Sequence, residues 1–170
     1  MSKTRFNRYR NLATLGQLGY WLAPGTVGTL AAVPFVGLAR AYISSDLGYL
    51  GLCLVLLLTA NWILQQAYRH GCFAVTDAPE IIIDEWVGFF WAALLVPPAV
   101  LSSAGISTIN LLSWGKYWAL LVLLFRCFDI LKPWPIHLLE RIPSSWGVLL
   151  DDVGAALLAN LLVWLSYSWL

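Results

Sequence analysis

The chain has 170 residues, 60% of them hydrophobic and 11% charged, with a formal net charge of +1. A soluble domain averages roughly 45–50% apolar and about 25% charged residues, so these values point to an integral membrane protein and away from a nucleic-acid binder. The cysteines Cys53, Cys72 and Cys127 are odd in number, show no CxxC spacing and read as three reduced or buried thiols.

Residues 1–22 read as a basic cytoplasmic or interfacial segment. Lys3, Arg5, Arg8 and Arg10 would face anionic headgroups, and Phe6, Tyr9, Ala13 and Gly16 can form a narrow apolar stripe. An interfacial helix fits this pattern, and so does a disordered tail followed by a short helix. Glycine and proline interrupt the stretch LATLGQLGYWLAPGT, so no cleavable signal peptide is expected. Residues 23–170 read as one helical membrane domain.

The first predicted span opens on APGTVGTLAAVP, residues 23–34, and runs to about Ser44. A helix start at Gly25 and Thr26 leaves spare backbone N–H groups that can hold an anion. From composition alone, a plain turn before a helix packed through small residues is the favoured reading. The second span, from Leu47 to about Gln66, is almost free of polar groups, and Arg69 and His70 follow it. His70 reads as a loop or interface histidine.

The third predicted span runs from Asp77 to about Leu101 and opens on DAPEIIIDEWVG. Asp77 suits an N-cap, with Pro79 just inside the helix. Glu80 and Asp84 would then share a face, with Glu85 about 100° round from Asp84. Pro97 and Pro98 would end or kink this span, and residues 102–110 form an uncharged loop.

The fourth span, Leu111 to Leu131, delivers FRCFDILKPWPI, residues 125–136. Arg126 and Asp129 lie on one helical face, Lys132 follows, and Pro133 and Pro135 stop the helix. A proline-rich connector, 132–146, holds Glu140, Arg141 and a structural His137. The fifth span, Gly147 to Leu170, begins GVLLDDVGAALLAN, with Asp151 and Asp152 in its first turns.

The N-terminal cations orient the chain with its N-terminus in the cytoplasm. About five spans then bring all four polar motifs to the cytoplasmic side. Arg40 and Asp46, on the first outer turn, are a discordant pair that can neutralise each other. A charged side chain at the centre of a lipid-facing helix costs roughly 2.5–3.5 kcal/mol, so five lipid-facing acids would cost on the order of 10 kcal/mol. Asp84, Glu85, Asp129, Asp151 and Asp152 must therefore lie at the interface, line a polar cavity or meet cations. Arg126 and Lys132 cannot balance five acids. A divalent ion supplies the missing charge, and hard oxygen donors without a His/Cys cluster favour Mg²⁺ over Zn²⁺. One or two of the five acids are expected only to cap a helix or to bind Arg126.

Carboxylates for Mg²⁺ together with Arg and Lys near a helix start make a phosphate site, and its headgroup-level position suggests a lipid phosphate. A metal-activated water is the simplest attacker, with an aspartyl phosphate as the other route. The rival class is a small cation transporter with an acid-lined path, which predicts charges spread through the bilayer depth.

The motifs APGTVGT, IIIDEWVG, FRCFDILKPWPI and GVLLDDVGAAL, in this order and at these separations, resemble those of the phosphatidylglycerophosphatase A family. The resemblance covers about Gly16 to Asn160. It implies an all-α integral membrane bundle with Mg²⁺ as cofactor. It also implies a membrane phospholipid substrate, phosphatidylglycerophosphate, whose terminal phosphate is removed to give phosphatidylglycerol at the cytoplasmic face of a bacterial inner membrane. Residue by residue it implicates Asp84, Glu85, Asp129, Asp151 and Asp152 as the metal-binding set, with Asp84, Glu85 and Asp129 catalytic. Arg126, Lys132, Gly25 and Thr26 match its substrate-binding positions. A phosphatase of another lipid phosphate stays open as an alternative, and the sequence leaves oligomeric state undecided.

Overall fold

The computed structural model describes residues 3–97, 100 and 108–168, with side chains described over 8–97, 100 and 114–166. The regular elements of the described residues are all helices, without strands, as expected. Helix α1 spans Lys3–Ala13, α2 Pro24–Tyr42, α3 Asp46–Arg69 and α4 Ile83–Ala92. After them come α5, Thr108–Leu131, the single turn α6, Ile136–Leu139, and α7, Ser145–Ser168. A short 3₁₀ turn, Leu18–Tyr20, links α1 to α2.

Two helices among the described residues are long and apolar enough to cross a membrane, Asp46–Arg69 and Ser145–Ser166. Leu54, Val55, Leu58 and Trp62 are exposed on α3, and Leu161 and Leu165 on α7. Apolar outer faces of this kind match hydrocarbon better than water. Inside the bundle, α4 is the hub. It packs against α2, α3, α5 and α7, and Val87, Phe89, Phe90 and Trp91 are buried in the core.

Helix α2 runs antiparallel to α5. Gly25 lies against the Arg126 guanidinium at one end, and Gly37 lies against the Trp114 ring at the other. Helix α4 runs parallel to α7, since Gly88 abuts Asp152 and the Leu95 N–H donates to Asn160 Oδ1 at 3.1 Å. The starts of α2, α4 and α7 and the end of α5 therefore meet at one end of the bundle.

The third predicted helix is corrected at both ends. It begins at Ile83, not Asp77, and ends at Ala92. Asp77 caps no helix, Pro79 lies outside it, and Glu80 does not share a helical face with Asp84. The reason is tertiary: the segment before α4 is held by the N-terminal region. The Ile82 N–H donates to the Ala13 carbonyl at 3.0 Å, and Arg10 reaches Glu80 at 3.4 Å. Gly19 packs so closely against the Glu80 carbonyl that an added Cβ would stand 2.1 Å from its oxygen.

Ten residues of α4 rise about 15 Å, half of the roughly 30 Å hydrocarbon core. A helix that stops among other helices needs partners for its last carbonyls. Arg40 of α2 donates from Nε to the Ala93 carbonyl at 2.8 Å and from a terminal nitrogen to the Leu94 carbonyl. The Tyr49 hydroxyl of α3 donates to the Phe90 carbonyl at 3.1 Å, and Asn160 of α7 exchanges two hydrogen bonds with Leu95.

The N-terminal segment is a helix that docks, rather than a free tail. Ala13 is fully buried, and Tyr9 stacks on His70 and meets Trp62 edge-on, with ring centroids 5.4 and 5.8 Å away. His70 is thus an interface histidine at the end of α3.

Candidate active site

The first turn of α4 carries Asp84 and Glu85, where the positive end of the helix dipole favours carboxylates. One face of α7 brings Asp152 against them. Carboxylate oxygens of Asp84, Glu85 and Asp152 all lie within 4.8 Å of one another. Asp84 and Asp152 are buried, and Glu85 is largely covered. One oxygen of each, Asp84 Oδ1, Glu85 Oε2 and Asp152 Oδ2, is buried without a hydrogen-bond partner among the described residues. A bare buried carboxylate oxygen is costly, and three neighbouring carboxylates are costlier still through mutual repulsion. A hard divalent cation satisfies all three at once, so the residues present fit Mg²⁺.

The two other acids of the predicted set also face cations. Asp129 accepts from Arg126 one turn earlier on α5 at 2.5 Å, and the same guanidinium lies 3.7 Å from Glu85 Oε1. Asp151 accepts from the Lys132 ammonium, which also stands 3.7 Å from Glu140 of the connector. Asp129 also lies against Asp152, and Glu85 also faces Arg126, so the five acids form one cluster in which Asp84, Glu85 and Asp152 converge most tightly. Burial works against the charge on Lys132, but the Asp151 carboxylate and, more weakly, Glu140 outweigh it and hold its pKa above the ordinary lysine value.

The backbone at two positions is bent to make this arrangement. Ala23 and Lys132 adopt φ of 54° and 42°, left-handed values that residues bearing a Cβ disfavour. Each immediately precedes a proline, so each turns the chain sharply at an edge of the site. At Ala23 the turn starts α2 with Pro24 in its first turn and Gly25 against Glu85 and Arg126. At Lys132 the turn ends α5 while the ammonium reaches back to α7.

Gly25 is where α2 touches the site. A Cβ there would stand 2.2 Å from Glu85 Oε1 and 2.7 Å from a guanidinium nitrogen of Arg126. Thr26 is half-buried in the same first turn, and the Thr29 hydroxyl donates back to the Gly25 carbonyl at 2.9 Å. A helix start and a close small-residue contact thus coincide at APGT. Two participants were not singled out from the sequence. Glu140 carried no signal beyond its charge. Gly88 lies four residues after Asp84, a spacing that puts it on the acid-bearing face.

With this geometry in view, the comparisons with known proteins are specific. The phosphatidylglycerophosphatase A family profile matches residues 11–167. The chain belongs to the phosphatidylglycerophosphatase A family. It is 33% identical over 154 residues to the phosphatidylglycerophosphatase A of Haemophilus influenzae, covering 87% of this chain and 81% of that protein. It is 30% identical over 153 residues to the Escherichia coli protein of the same name, covering 87% and 77%. A Bacteroides thetaiotaomicron protein, 30% identical over 142 residues, carries phosphatidylinositol-3-phosphatase as a provisional name. No solved structure matches the chain. The family's name describes a phosphoric monoester hydrolase, and all four family-like motifs lie within the matched residues.

Proposed function

We propose that this chain is a Mg²⁺-dependent phosphatase that removes the terminal phosphate of phosphatidylglycerophosphate, giving phosphatidylglycerol, at the cytoplasmic face of a bacterial inner membrane. The observation that carries the reading is the convergence of Asp84, Glu85 and Asp152, with three unpartnered oxygens, beside the Arg126 guanidinium. Membership of the phosphatidylglycerophosphatase A family supports the substrate.

Asp84, Glu85 and Asp152 would hold the metal. Asp129 and Asp151, within reach of the same cluster, fix the two cations. When bound, Mg²⁺ supplies positive charge against phosphate oxygens and lowers the pKa of water. Arg126 binds the phosphate with a planar fork of donors, and Lys132 binds it as a point charge. Gly25 and Thr26 add N–H donors from the start of α2. Hydrolysis breaks the bond from phosphorus to the glycerol oxygen and forms one to the oxygen of water. The water's proton passes to a site carboxylate, and the departing alkoxide gains one.

Two long apolar helices and the apolar outer faces of the bundle support a multi-pass arrangement in which the acyl chains stay in the bilayer. The basic N-terminal segment supports a cytoplasmic N-terminus. In this arrangement of five crossings α4 covers half of the third.

The test is phosphate release from phosphatidylglycerophosphate by the purified chain in detergent, with Mg²⁺ and with a chelator. Release that needs Mg²⁺ and is lost in Asp84→Asn supports the reading, and absence of release from any phosphomonoester overturns it. The provisional name of the Bacteroides relative favours including phosphatidylinositol 3-phosphate beside it. Faster release from that lipid would keep the chemistry and change the substrate.

A further inference from the structure

We propose that Gly88 is a positioning residue for the acidic trio. It is the point at which α4 and α7 close on one another, and its lack of a side chain sets how near Asp152 comes to Asp84 and Glu85. The inference rests on the metal-holding reading of that trio and goes beyond it, since Gly88 itself offers no ligand.

Gly88 lies one helical turn beyond Asp84 on the same face of α4. A Cβ at this position would stand 2.9 Å from Asp152 Cβ, where ordinary contact is 3.4–4 Å. It would also stand 3.1 and 3.4 Å from two ring carbons of Phe125 on α5. Neither neighbour can swing away. The Asp152 Cβ is bonded directly to the backbone of α7, so relieving the contact moves that helix, and the Asp152 carboxylate with it, away from Asp84 and Glu85. The Phe125 ring is fully buried and also packs on Phe89, with centroids 5.8 Å apart.

On α7, a glycine-to-alanine substitution meets a different kind of neighbour. A Cβ at Gly154 would stand 2.8 Å from Leu139 Cδ1, the free end of a flexible side chain that can turn aside. A methyl group at 88 therefore acts on the metal-holding geometry, and a methyl group at 154 acts on packing alone. Changes to residues that orient a ligand typically weaken metal affinity about 10–100-fold.

The test uses Mn²⁺ as the probe. The full chain is purified in detergent, and the free ion is followed by electron paramagnetic resonance. Gly88→Ala is expected to keep its helical signal and cooperative melting while its Mn²⁺ dissociation constant rises about tenfold or more. Gly154→Ala is expected to bind Mn²⁺ as wild type does. Should Gly88→Ala fail to fold, the double variant Gly88→Ala/Phe125→Leu frees the ring side of the contact and leaves the Asp152 side in place. Its weakened Mn²⁺ binding, compared with Phe125→Leu alone, supports the proposal. A folded Gly88→Ala, or a folded double variant, that binds Mn²⁺ as its parent does overturns it. A wild-type chain that binds no Mn²⁺ overturns the metal reading and this proposal together, so the two failures are distinguishable.

Discussion

Arg40 donates from Nε to the carbonyl oxygen of Ala93 across 2.8 Å, joining the far end of α2 to the end of α4. The same guanidinium bonds Asp46 at 3.0 Å and lies over the Tyr49 ring, 3.7 Å from its centroid. The Arg40 side chain is almost wholly enclosed, while Asp46 is exposed, so the carbonyl contacts rather than the ion pair define its role. Arg40→Leu would leave two carbonyls without a donor, at about 1–3 kcal/mol each. The expected outcome is a clear fall in melting temperature in detergent. Arg40→Lys is expected to recover only part of it, because an ammonium cannot reproduce the planar fork. Equal melting temperatures for wild type and Arg40→Leu would show that the end of α4 is satisfied in another way.

Arg40 also marks what the sequence could not reveal. Its pairing with Asp46, six residues on, is legible from proximity in the chain. Its bonds to Ala93 and Leu94 lie more than fifty residues away and answer to the early stop of α4. That stop, and the late start at Ile83, depend on Arg10, Ala13, Gly19 and Asn160, none of which signals its partner in the sequence. The acids are the opposite case. A charge within an apolar run is expensive wherever it goes, so Asp84, Glu85, Asp129, Asp151 and Asp152 announce a common destination before any fold is known. The tight approach of Asp152 to Asp84 and Glu85 needed the structure, because it depends on which face of α7 meets α4.

Within the trio, stability and activity should move in opposite directions. Three crowded carboxylates repel one another when no cation lies between them. In chelator, Asp152→Asn is expected to melt at the same temperature as wild type or higher. With Mg²⁺ added, wild type is expected to gain stability and Asp152→Asn to gain little, since a ligand stabilises only the state that binds it. Turnover in the variant should fall about 100-fold or more. Melting curves with and without Mg²⁺ check the first two outcomes, and phosphate release checks the third. A variant that gains as much from Mg²⁺ as wild type would remove Asp152 from the metal-holding set.

Lys132 and Asp151 form the second cation contact, and its strength is open to a double-mutant cycle. Asp151 is buried while Lys132 is partly exposed, so a coupling of about 1–2 kcal/mol is expected between Lys132→Met and Asp151→Asn, below that of a fully enclosed pair. The raised pKa of Lys132 gives the pH dependence its sign. Its stabilisation is fully present below the ordinary lysine value of about 10.4 and is lost as pH rises through the higher folded value. Between about pH 6 and 9 loss of the Lys132 proton should therefore not weaken the coupling. A coupling that falls across that range would show that Lys132 is not held charged by Asp151.

Gly25 and Gly19 separate a contact at the site from a contact in the scaffold. Both approach an oxygen closely, at 2.2 Å for Glu85 Oε1 and 2.1 Å for the Glu80 carbonyl, measured from an added Cβ. The chemistry of the two neighbours differs. Glu85 and Arg126 meet Gly25 with the ends of flexible side chains, which can move at small cost to the fold but not without disturbing the site. Glu80 meets Gly19 with backbone, on the segment that holds the start of α4. Gly25→Ala is expected to melt within a few degrees of wild type and to lose turnover at least about tenfold, a barrier change of roughly 1.4 kcal/mol. Gly19→Ala is expected to lower stability by about 1–3 kcal/mol, the usual effect of forcing an extra carbon into a closed contact. Activity per folded molecule should survive better in Gly19→Ala than in Gly25→Ala. Melting temperature and specific activity, measured on both variants in one detergent, give the comparison. The reverse ranking would place the PGT turn in the scaffold and the 3₁₀ turn beside the chemistry.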